Sequence, residues 1–263
     1  MRPRTLAAAG LAVVLLAGCA QSVDPIERLG MKAAQRVGSY GPARTDGRPY
    51  RHWGLTDPLP APPRVPARTT AVPGGLPPVV KRVPTSDKVV FLTYDDGAEK
   101  DPRFVDLVRE LRLPVSMFLT DSVVGPGYGH FAHLQSVGAS IENHTLDHPA
   151  LRGLPYPGQR AEICGQQEKV RSRFGIRPRL FRPPYGTYDR TTLRAAADCG
   201  LSALVLWSVT AQDGTPERPL RAGDIVSVAS GETTGPTLTE RTTRVLREIQ
   251  RGGLTVGRLE DYL

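Results

Sequence analysis

Apolar residues recur along this chain at two different spacings, and each spacing predicts a different element. From residue 88 onward, short apolar runs such as Val89–Leu92 and Val115–Leu119 predict buried strands. Between these runs, apolar residues recur at helical spacing, as in Phe104, Leu107, Val108 and Leu111. Alternation of strands and helices predicts an α/β fold, with a parallel sheet that is covered by helices and closed or partly closed as a barrel.

Capping residues predict where several helices begin and end. Asp101, which stands before a proline, predicts a helix start, and Asp189 predicts another. Thr237 and Glu240 form a capping box in front of an apolar helical face made by Leu238, Val245, Leu246 and Ile249. Gly175 predicts the end of a helix that begins near residue 159.

The segment before this pattern is rich in proline. Eight prolines fall between Pro58 and Pro78, and proline imposes extended geometry that interrupts helices and sheets. We therefore expect a stiff linker over residues 20–86. Residues 87–263 are then one domain, which is long enough to bury a core.

Residues 1–19 resemble the signal peptide and lipobox of an exported bacterial lipoprotein. Arg2 and Arg4 precede an apolar run that is too short for a stable transmembrane helix. The run ends in Leu-Ala-Gly-Cys, so that Cys19 stands where lipoproteins carry the lipidated cysteine. We expect an extracytoplasmic protein that is lipid-anchored through Cys19 to the outer face of a bacterial cell membrane. An ordinary cleaved signal is the alternative.

The charge and the cysteine content indicate which classes of partner and which redox compartment suit the protein. The formal net charge is +8, but the basic residues are scattered and no aromatic residues interleave them, which argues against a nucleic-acid surface. A basic protein outside the cell suits anionic wall polymers or lipid headgroups. Besides Cys19, the chain has Cys164 and Cys199, which in an oxidising compartment either pair or remain as two buried thiols.

Three polar motifs follow predicted strands. They read Leu-Thr-Tyr-Asp-Asp-Gly over residues 92–97, His-Thr-Leu-Asp-His over 144–148 and Arg-Pro-Pro-Tyr-Gly over 182–186. Adjacent carboxylates at a strand end, here Asp95 and Asp96, point to opposite sides, so one can bind a metal while the other faces the substrate. Two imidazoles four residues apart, His144 and His148, can reach one cation from the same side of a helical turn. With Asp96 they predict a site that keeps an open position for water.

Together and in this order, the motifs resemble the first three motifs of the NodB-homology polysaccharide deacetylases, carbohydrate esterase family 4. The resemblance implies an irregular (β/α) barrel with fewer than the usual eight units. It also implies hydrolysis of N- or O-acetyl groups on a polysaccharide such as peptidoglycan or a chitin-like or xylan-like polymer. By the same resemblance, a divalent metal, with zinc as the expected ion, is bound by Asp96, His144 and His148.

The resemblance implies roles for three further residues. Asp95 would be the general base that takes a proton from a water activated by the metal. Arg182 would pair with Asp95 and keep it ionised and oriented. The backbone N–H of Tyr185 would hold the oxyanion together with the metal; lining of the groove is the alternative role for Tyr185.

The chain departs from the family in its last two motifs. The family histidine that protonates the leaving amine falls on Ala229, and no histidine follows residue 148. The acidic or amide residue that precedes an aromatic in the family is also missing after Trp207. The link from Trp207 to Gly223 is too short for the usual helix. Four residues could replace the missing acid: His130, His133, Asp213 and Glu232.

These observations leave three functional hypotheses. The first is a metal-dependent deacetylase, slow or ester-selective, because leaving alcohols need protonation less than leaving amines. The second is a degenerate deacetylase that keeps the metal and binds glycan without turnover. The third is a lipoprotein whose barrel scaffolds a wall or secretion complex. The intact Asp95 favours the first, and we expect a monomer that acts on an acetylated polysaccharide.

Overall fold

The structure is a computed structural model that describes residues 48–65, 75–230 and 235–263. The predicted signal, Cys19 and the first part of the predicted linker lie outside these residues. Glu232, one of the candidate acids, also lies outside them.

Nine parallel strands among the described residues form one curled sheet. They are β1 (Val79–Val80), β2 (Val89–Asp96), β3 (Val115–Leu119), β4 (Ser140–Asn143), β5 (Leu180–Phe181), β6 (Ala203–Val205), β7 (Val209–Ala211), β8 (Ile225–Val228) and β9 (Thr255–Val256). Their order is β1-β6-β5-β4-β3-β2-β8-β7, and β9 pairs with β2. After β1, the N–H of Val83 donates to the carbonyl of Gly223, 2.9 Å away and just before β8. The two ends of the sheet therefore approach each other, which confirms the predicted (β/α) barrel of irregular form.

Helices cover the outside of the sheet. They are α1 (Pro49–His52), α2 (Pro102–Leu111), α3 (Asp121–Val124), α4 (Tyr128–Ser136), α5 (Tyr156–Phe174), α6 (Arg190–Asp198) and α7 (Leu238–Arg251). Asp101 caps α2 by accepting the N–H of Arg103, and Asp189 and Thr237 each form a capping box. The predicted helix starts are thus confirmed. Within the described ranges, no helix is both long and apolar enough to cross a membrane.

Alternate residues of β2 face the outer core, between sheet and helices, and the interior of the barrel. Leu92 and Tyr94 pack with the helices in the outer core, whereas Phe91 packs with residues inside the barrel. Successive side chains of a strand point to opposite faces. Thr93 and Asp95 therefore share the inner face with Phe91, and Asp95 lies where that face reaches the end of the strand.

The linker predicted for residues 20–86 is wrong for part of its length. Trp53 and Leu55 are buried in the outer core, and the indole N–H of Trp53 donates to Glu110 at 2.9 Å. Further along, β1 pairs with β6 and Val83 is buried. Pro77 and Pro78 directly precede β1, but the apolar side chains between the prolines still pack. Residues 48–65 and 75–86 are therefore packed parts of the domain.

The short link between Trp207 and Gly223 contains a strand that the sequence analysis did not predict. It is β7, which lies parallel to β8 with Thr210 opposite Ser227. The link is fixed at the buried carboxylate of Asp224, which accepts hydrogen bonds from Arg218 at 2.8 and 2.9 Å. A strand and a buried ion pair thus occupy the place where the family has a helix.

Cys164 on α5 and Cys199 at the end of α6 form a disulfide. Of the two alternatives left open by the sequence, the structure therefore contains the paired form. The bond ties the two helices that follow the second and third motifs.

Replacing both cysteines, Cys164→Ala with Cys199→Ala, should lower the free energy of unfolding by about 4 kcal/mol. The estimate is the loop-closure entropy for cysteines 35 residues apart. Urea denaturation of the wild type and the double variant measures the difference. A reducing agent should destabilise the wild type alone, and equal stability of the two oxidised proteins would contradict the prediction.

Candidate metal centre and active site

The three polar motifs meet at one edge of the sheet. Asp95 and Asp96 end β2, His144 follows β4, and Arg182 follows β5. The carboxyl ends of parallel strands lie at the same end of a barrel, where loops can carry chemistry on a rigid frame. The fold therefore brings together residues that are separated by up to 87 positions, as in the contact between Asp95 and Arg182.

Three potential ligand atoms converge at this edge. Asp96 Oδ1 lies 3.4 Å from His144 Nε2 and 3.2 Å from His148 Nε2. The ligand atoms of the three residues all lie within 4.8 Å of one another. Asp96 Oδ1 is buried and accepts no hydrogen bond from the described residues. A buried carboxylate oxygen that faces two ring nitrogens fits a cation, and one carboxylate with two imidazoles is a donor set suited to zinc.

The orientation of His144 supports a ligand role. Its Nδ1 lies 2.7 Å from the carbonyl oxygen of Arg182, so Nδ1 carries the proton and donates it, which leaves the Nε2 lone pair toward Asp96. Burial lowers the pKa of His144. The ring is then neutral at neutral pH, and its contact with Asp96 is better explained by shared ligation than by an ion pair.

The two histidines were predicted to lie on one helical turn, and this is wrong. The chain from His144 to His148 is a loop in which Thr145 and His148 have φ of 73° and 59°. Side-chain hydrogen bonds hold this loop, because Asn143 accepts the N–H of Thr145 and Thr145 Oγ1 accepts the N–H of His148. Pro149 disfavours the helical region for the residue before it, which explains the departure at His148.

Backbone strain is concentrated in the site. Five described non-glycine residues have positive φ, and four of them belong to the motifs: Asp96, Thr145, His148 and Tyr185. Such conformations cost on the order of 1–3 kcal/mol each and persist where the surrounding structure holds them. These four residues are therefore held in place by their neighbours.

The predicted contact between Arg182 and Asp95 is present. Arg182 Nη1 donates to Asp95 Oδ1 at 2.7 Å and to Thr93 Oγ1 at 2.9 Å. The guanidinium also donates to the carbonyls of Val205 and Leu206, at 3.3 and 3.4 Å. The Arg182 side chain has 0% exposure. Its charge is thus fully compensated inside the protein, and its direction toward Asp95 is fixed.

Three hydroxyl groups lie around Asp95 that were not predicted from the sequence. Thr93 accepts from Arg182 and donates to the carbonyl of Val226. Ser227 Oγ lies 3.4 Å from Asp95 Oδ2, and Ser230 donates to the Asp95 carbonyl at 2.8 Å. The strand period could have indicated Thr93, since it shares a face with Asp95. The two serines come from another strand end, and no local pattern indicates them.

Tyr185 forms an exposed wall beside the ligands. Its side chain is 65% exposed, and its ring packs edge-on to His148 with centroids 4.7 Å apart. It lies in a 3-10 turn, Pro184–Gly186, that two prolines rigidify. A Cβ on Gly186 would lie 3.1 Å from the Trp207 ring, so glycine permits the close approach of this turn to the aromatic side chain.

Comparisons with known proteins identify the family of the chain. A family model described as polysaccharide deacetylase matches residues 82–204. An uncharacterized Streptomyces coelicolor protein is 62% identical over 194 residues, which cover 72% of this chain and 78% of that protein. The chain belongs to the polysaccharide deacetylase family, carbohydrate esterase family 4.

Two further family comparisons bear on the activity and the fold. A chitin deacetylase of Amylomyces rouxii is 35% identical over 124 residues, which cover 46% of this chain and 29% of that enzyme. A Bacillus anthracis protein described as a family 4 pseudoenzyme has the same fold, with a TM-score of 0.61 and 20% identity. That match covers 71% of this chain and 69% of the pseudoenzyme chain. Membership of the family therefore indicates a polysaccharide deacetylase hydrolase, while the fold also occurs without activity.

The family match ends at residue 204, before β8 and before Ala229, which follows that strand. Of the replacement acids, His130 lies on α4, where burial lowers its pKa to about 4, so that it is neutral at neutral pH and cannot donate readily. His133 and Asp213 are exposed. None of these three described residues makes a hydrogen bond to the Asp95 side chain, whose partners are Arg182 and Ser227.

Replacement of one ligand tests the metal centre. His148→Ala removes one of three converging atoms, and zinc affinity should fall by more than about 100-fold, because even groups that only orient ligands are worth 10- to 100-fold. Titration calorimetry of the metal-stripped protein measures the change. His133→Ala, on the exposed surface of α4, is the control. Equal zinc affinity of His148→Ala and the wild type would rule out His148 as a ligand.

Proposed function

We propose that the protein is a metal-dependent hydrolase that removes N- or O-acetyl groups from a cell-wall or other extracellular polysaccharide. The observation that carries the proposal is the position of Asp95. Its carboxylate is oriented by a buried arginine and lies next to Asp96, whose oxygen faces two imidazole nitrogens. A base beside an open cation site is what hydrolysis requires and what passive glycan binding does not need.

Zinc is the proposed cation, and Asp96, His144 and His148 are the residues that would hold it. When bound, a zinc ion would polarise the acetyl carbonyl and lower the pKa of the attacking water. The hydrogen bond from His144 Nδ1 to the Arg182 carbonyl keeps the other ring nitrogen available for ligation.

Asp95 takes a proton from the attacking water in this proposal. Arg182 occupies Asp95 Oδ1 at 2.7 Å, so Oδ2 is the oxygen that remains to accept the proton. The hydrogen bond from Arg182 also fixes the direction in which this oxygen points. Ser227, 3.4 Å from Oδ2, limits the directions from which water can approach.

Tyr185 is proposed to stabilise the tetrahedral oxyanion through its backbone N–H. Tyr185 has a left-handed backbone conformation, with φ of 59°, and its ring packs against that of His148. Fixed donors that point at a developing charge need no reorganisation during the reaction. The exposed ring beside His148 would line an open groove, which suits a polymeric substrate.

The substrate is proposed to be an acetylated polysaccharide, of peptidoglycan, chitin-like or xylan-like type. The relative described as a chitin deacetylase supports this class. Because Ala229 stands in place of the family acid, we expect ester substrates to be impaired less than amide substrates. An alcohol leaves with less help from a proton donor than an amine does. A general acid contributes about 10²–10⁴ in rate.

The proposed location is extracytoplasmic, with a lipid on Cys19 that anchors a monomeric protein to the outer face of a bacterial membrane. The Leu-Ala-Gly-Cys sequence supports this. The disulfide between Cys164 and Cys199 is also consistent with an oxidising compartment.

A second candidate function is glycan binding without turnover. The observation that favours it is Ala229, because the family uses a histidine there to protonate the leaving group. In this case the cation and the groove would still bind glycan. Asp95 and its contact with Arg182 would then have no role in chemistry.

Acetate release separates the two functions. The zinc-loaded protein should release acetate from at least one of acetylated chito-oligosaccharide, peptidoglycan and acetylated xylan. Asp95→Asn keeps the size of the side chain but removes the base, and should lower the rate by about 10²–10⁴-fold. If zinc binds stoichiometrically and no acetate appears from any polymer, the enzyme proposal fails and glycan binding without turnover is favoured.

A further inference from the structure

The segment after the cation ligand Asp96, residues 97–101, belongs to no helix or strand. Asp96 itself has φ of 66°, in the left-handed region that disfavours a side chain. Its carbonyl accepts the N–H of Thr120 at 3.2 Å, which fixes the chain on the β3 side. Since strained backbone persists only where its surroundings hold it, the contacts of residues 97–101 bear directly on the position of Asp96.

Glu99 connects this segment to helix α7. Its Oε1 accepts the N–H of Leu238 at 2.6 Å, and its Oε2 lies 3.6 Å from Arg241 Nη1. Arg241 is fully buried, and the same Nη1 donates to the carbonyl of Ala229 at 3.1 Å. One buried guanidinium therefore links the segment after the cation ligand to the end of β8.

Two neighbouring residues reinforce this arrangement. Asp101 accepts the hydroxyl of Thr239 at 2.5 Å, which gives α7 a second point of contact with the segment. Lys100 Nζ donates to the carbonyls of Gly97 and Ala98, at 3.1 and 3.3 Å. The segment is thus held along its length, and the first turn of α7 holds it at two points.

We propose that Glu99 and Arg241 are positioning residues that hold Asp96 in its left-handed conformation and keep the three ligand atoms converged. This inference rests on the proposed cation site. An ion pair with a fully buried guanidinium is well suited to the role, because Glu99 can move away only by leaving the buried charge of Arg241 without its carboxylate. The Leu238 N–H donates to Glu99, and Arg241 donates to the carbonyl of Ala229, so that both members of the pair are anchored to the backbone. The pair therefore fixes the position of residues 97–101.

Glu99→Gln tests the role with little change in shape. The amide keeps an oxygen for the Leu238 N–H but loses the negative charge that faces Arg241. Zinc affinity of the metal-stripped full chain should fall by about 10- to 100-fold, the range for groups that orient metal ligands. Amide hydrogen exchange at residues 97–101 should become faster in the metal-free protein, because local opening is less costly. Calorimetry and mass spectrometry give the two readouts.

Tyr94→Phe is the matched control. The Tyr94 hydroxyl lies 3.0 Å from Thr242 Oγ1 and is another polar link between β2 and α7. It makes no hydrogen bond to residues 97–101. The control should therefore retain wild-type zinc affinity and wild-type exchange over that segment.

A double variant separates positioning from stability. Glu99→Leu with Arg241→Leu removes both charges, and replacing a buried ion pair by apolar residues is often neutral for stability. If the pair positions Asp96, zinc affinity stays low in the double variant even where stability returns, because the Leu238 and Ala229 contacts are gone. A merely structural role predicts that affinity returns with stability.

Two results would overturn the inference. One is wild-type zinc affinity in a folded Glu99→Gln protein, and the other is full recovery of affinity in the double variant. A wild-type protein that binds no zinc would instead overturn the cation site and the proposed function, and this role with them.

Discussion

The guanidinium of Arg182 is buried without exposure to solvent, and the architecture of the site depends on how its charge is compensated. One carboxylate, one hydroxyl and two backbone carbonyls receive its hydrogen bonds, and they come from β2 and from the end of β6. Removing one partner of a buried charge is far more costly than forming the pair is beneficial. The arginine therefore fixes where these strand ends lie relative to one another. Through its own carbonyl it also fixes the ring of His144, so that one residue orients both the proposed base and a proposed ligand.

Much of the fold could be predicted because its determinants are local. The capping residues Asp101, Asp189 and Thr237 begin helices as expected, since each satisfies backbone donors within its own first turn. The strand period places Asp95 on the inner face of β2. The pairing of Asp95 with Arg182 is not local, and it was predicted only through the family resemblance.

The parts that could not be predicted depend on contacts between distant residues. Ser227 reaches Asp95 across 132 positions, and Glu99 meets the N–H of Leu238 across 139. Apolar residues before residue 66 pack on the outer core. The high proline content of this segment predicts a linker and gives no indication of that packing. Glu142 lies inside the barrel, where burial and the nearby Glu260 raise its pKa well above the usual value. The sequence around Glu142 is that of an ordinary strand and does not indicate this environment. Such features follow from the assembled barrel, because its interior decides which polar groups face one another.

Asp96, His144 and His148 are proposed to form one cation site beside an oriented base. X-ray absorption spectroscopy of the zinc-loaded protein would reveal this arrangement through the atoms that surround the zinc. We expect two imidazole nitrogens at about 2.0–2.1 Å, with oxygen ligands at about 2.0–2.2 Å, in the coordination sphere of the zinc. A spectrum with oxygen ligands alone would contradict it, because the cation would then lie away from the two histidines.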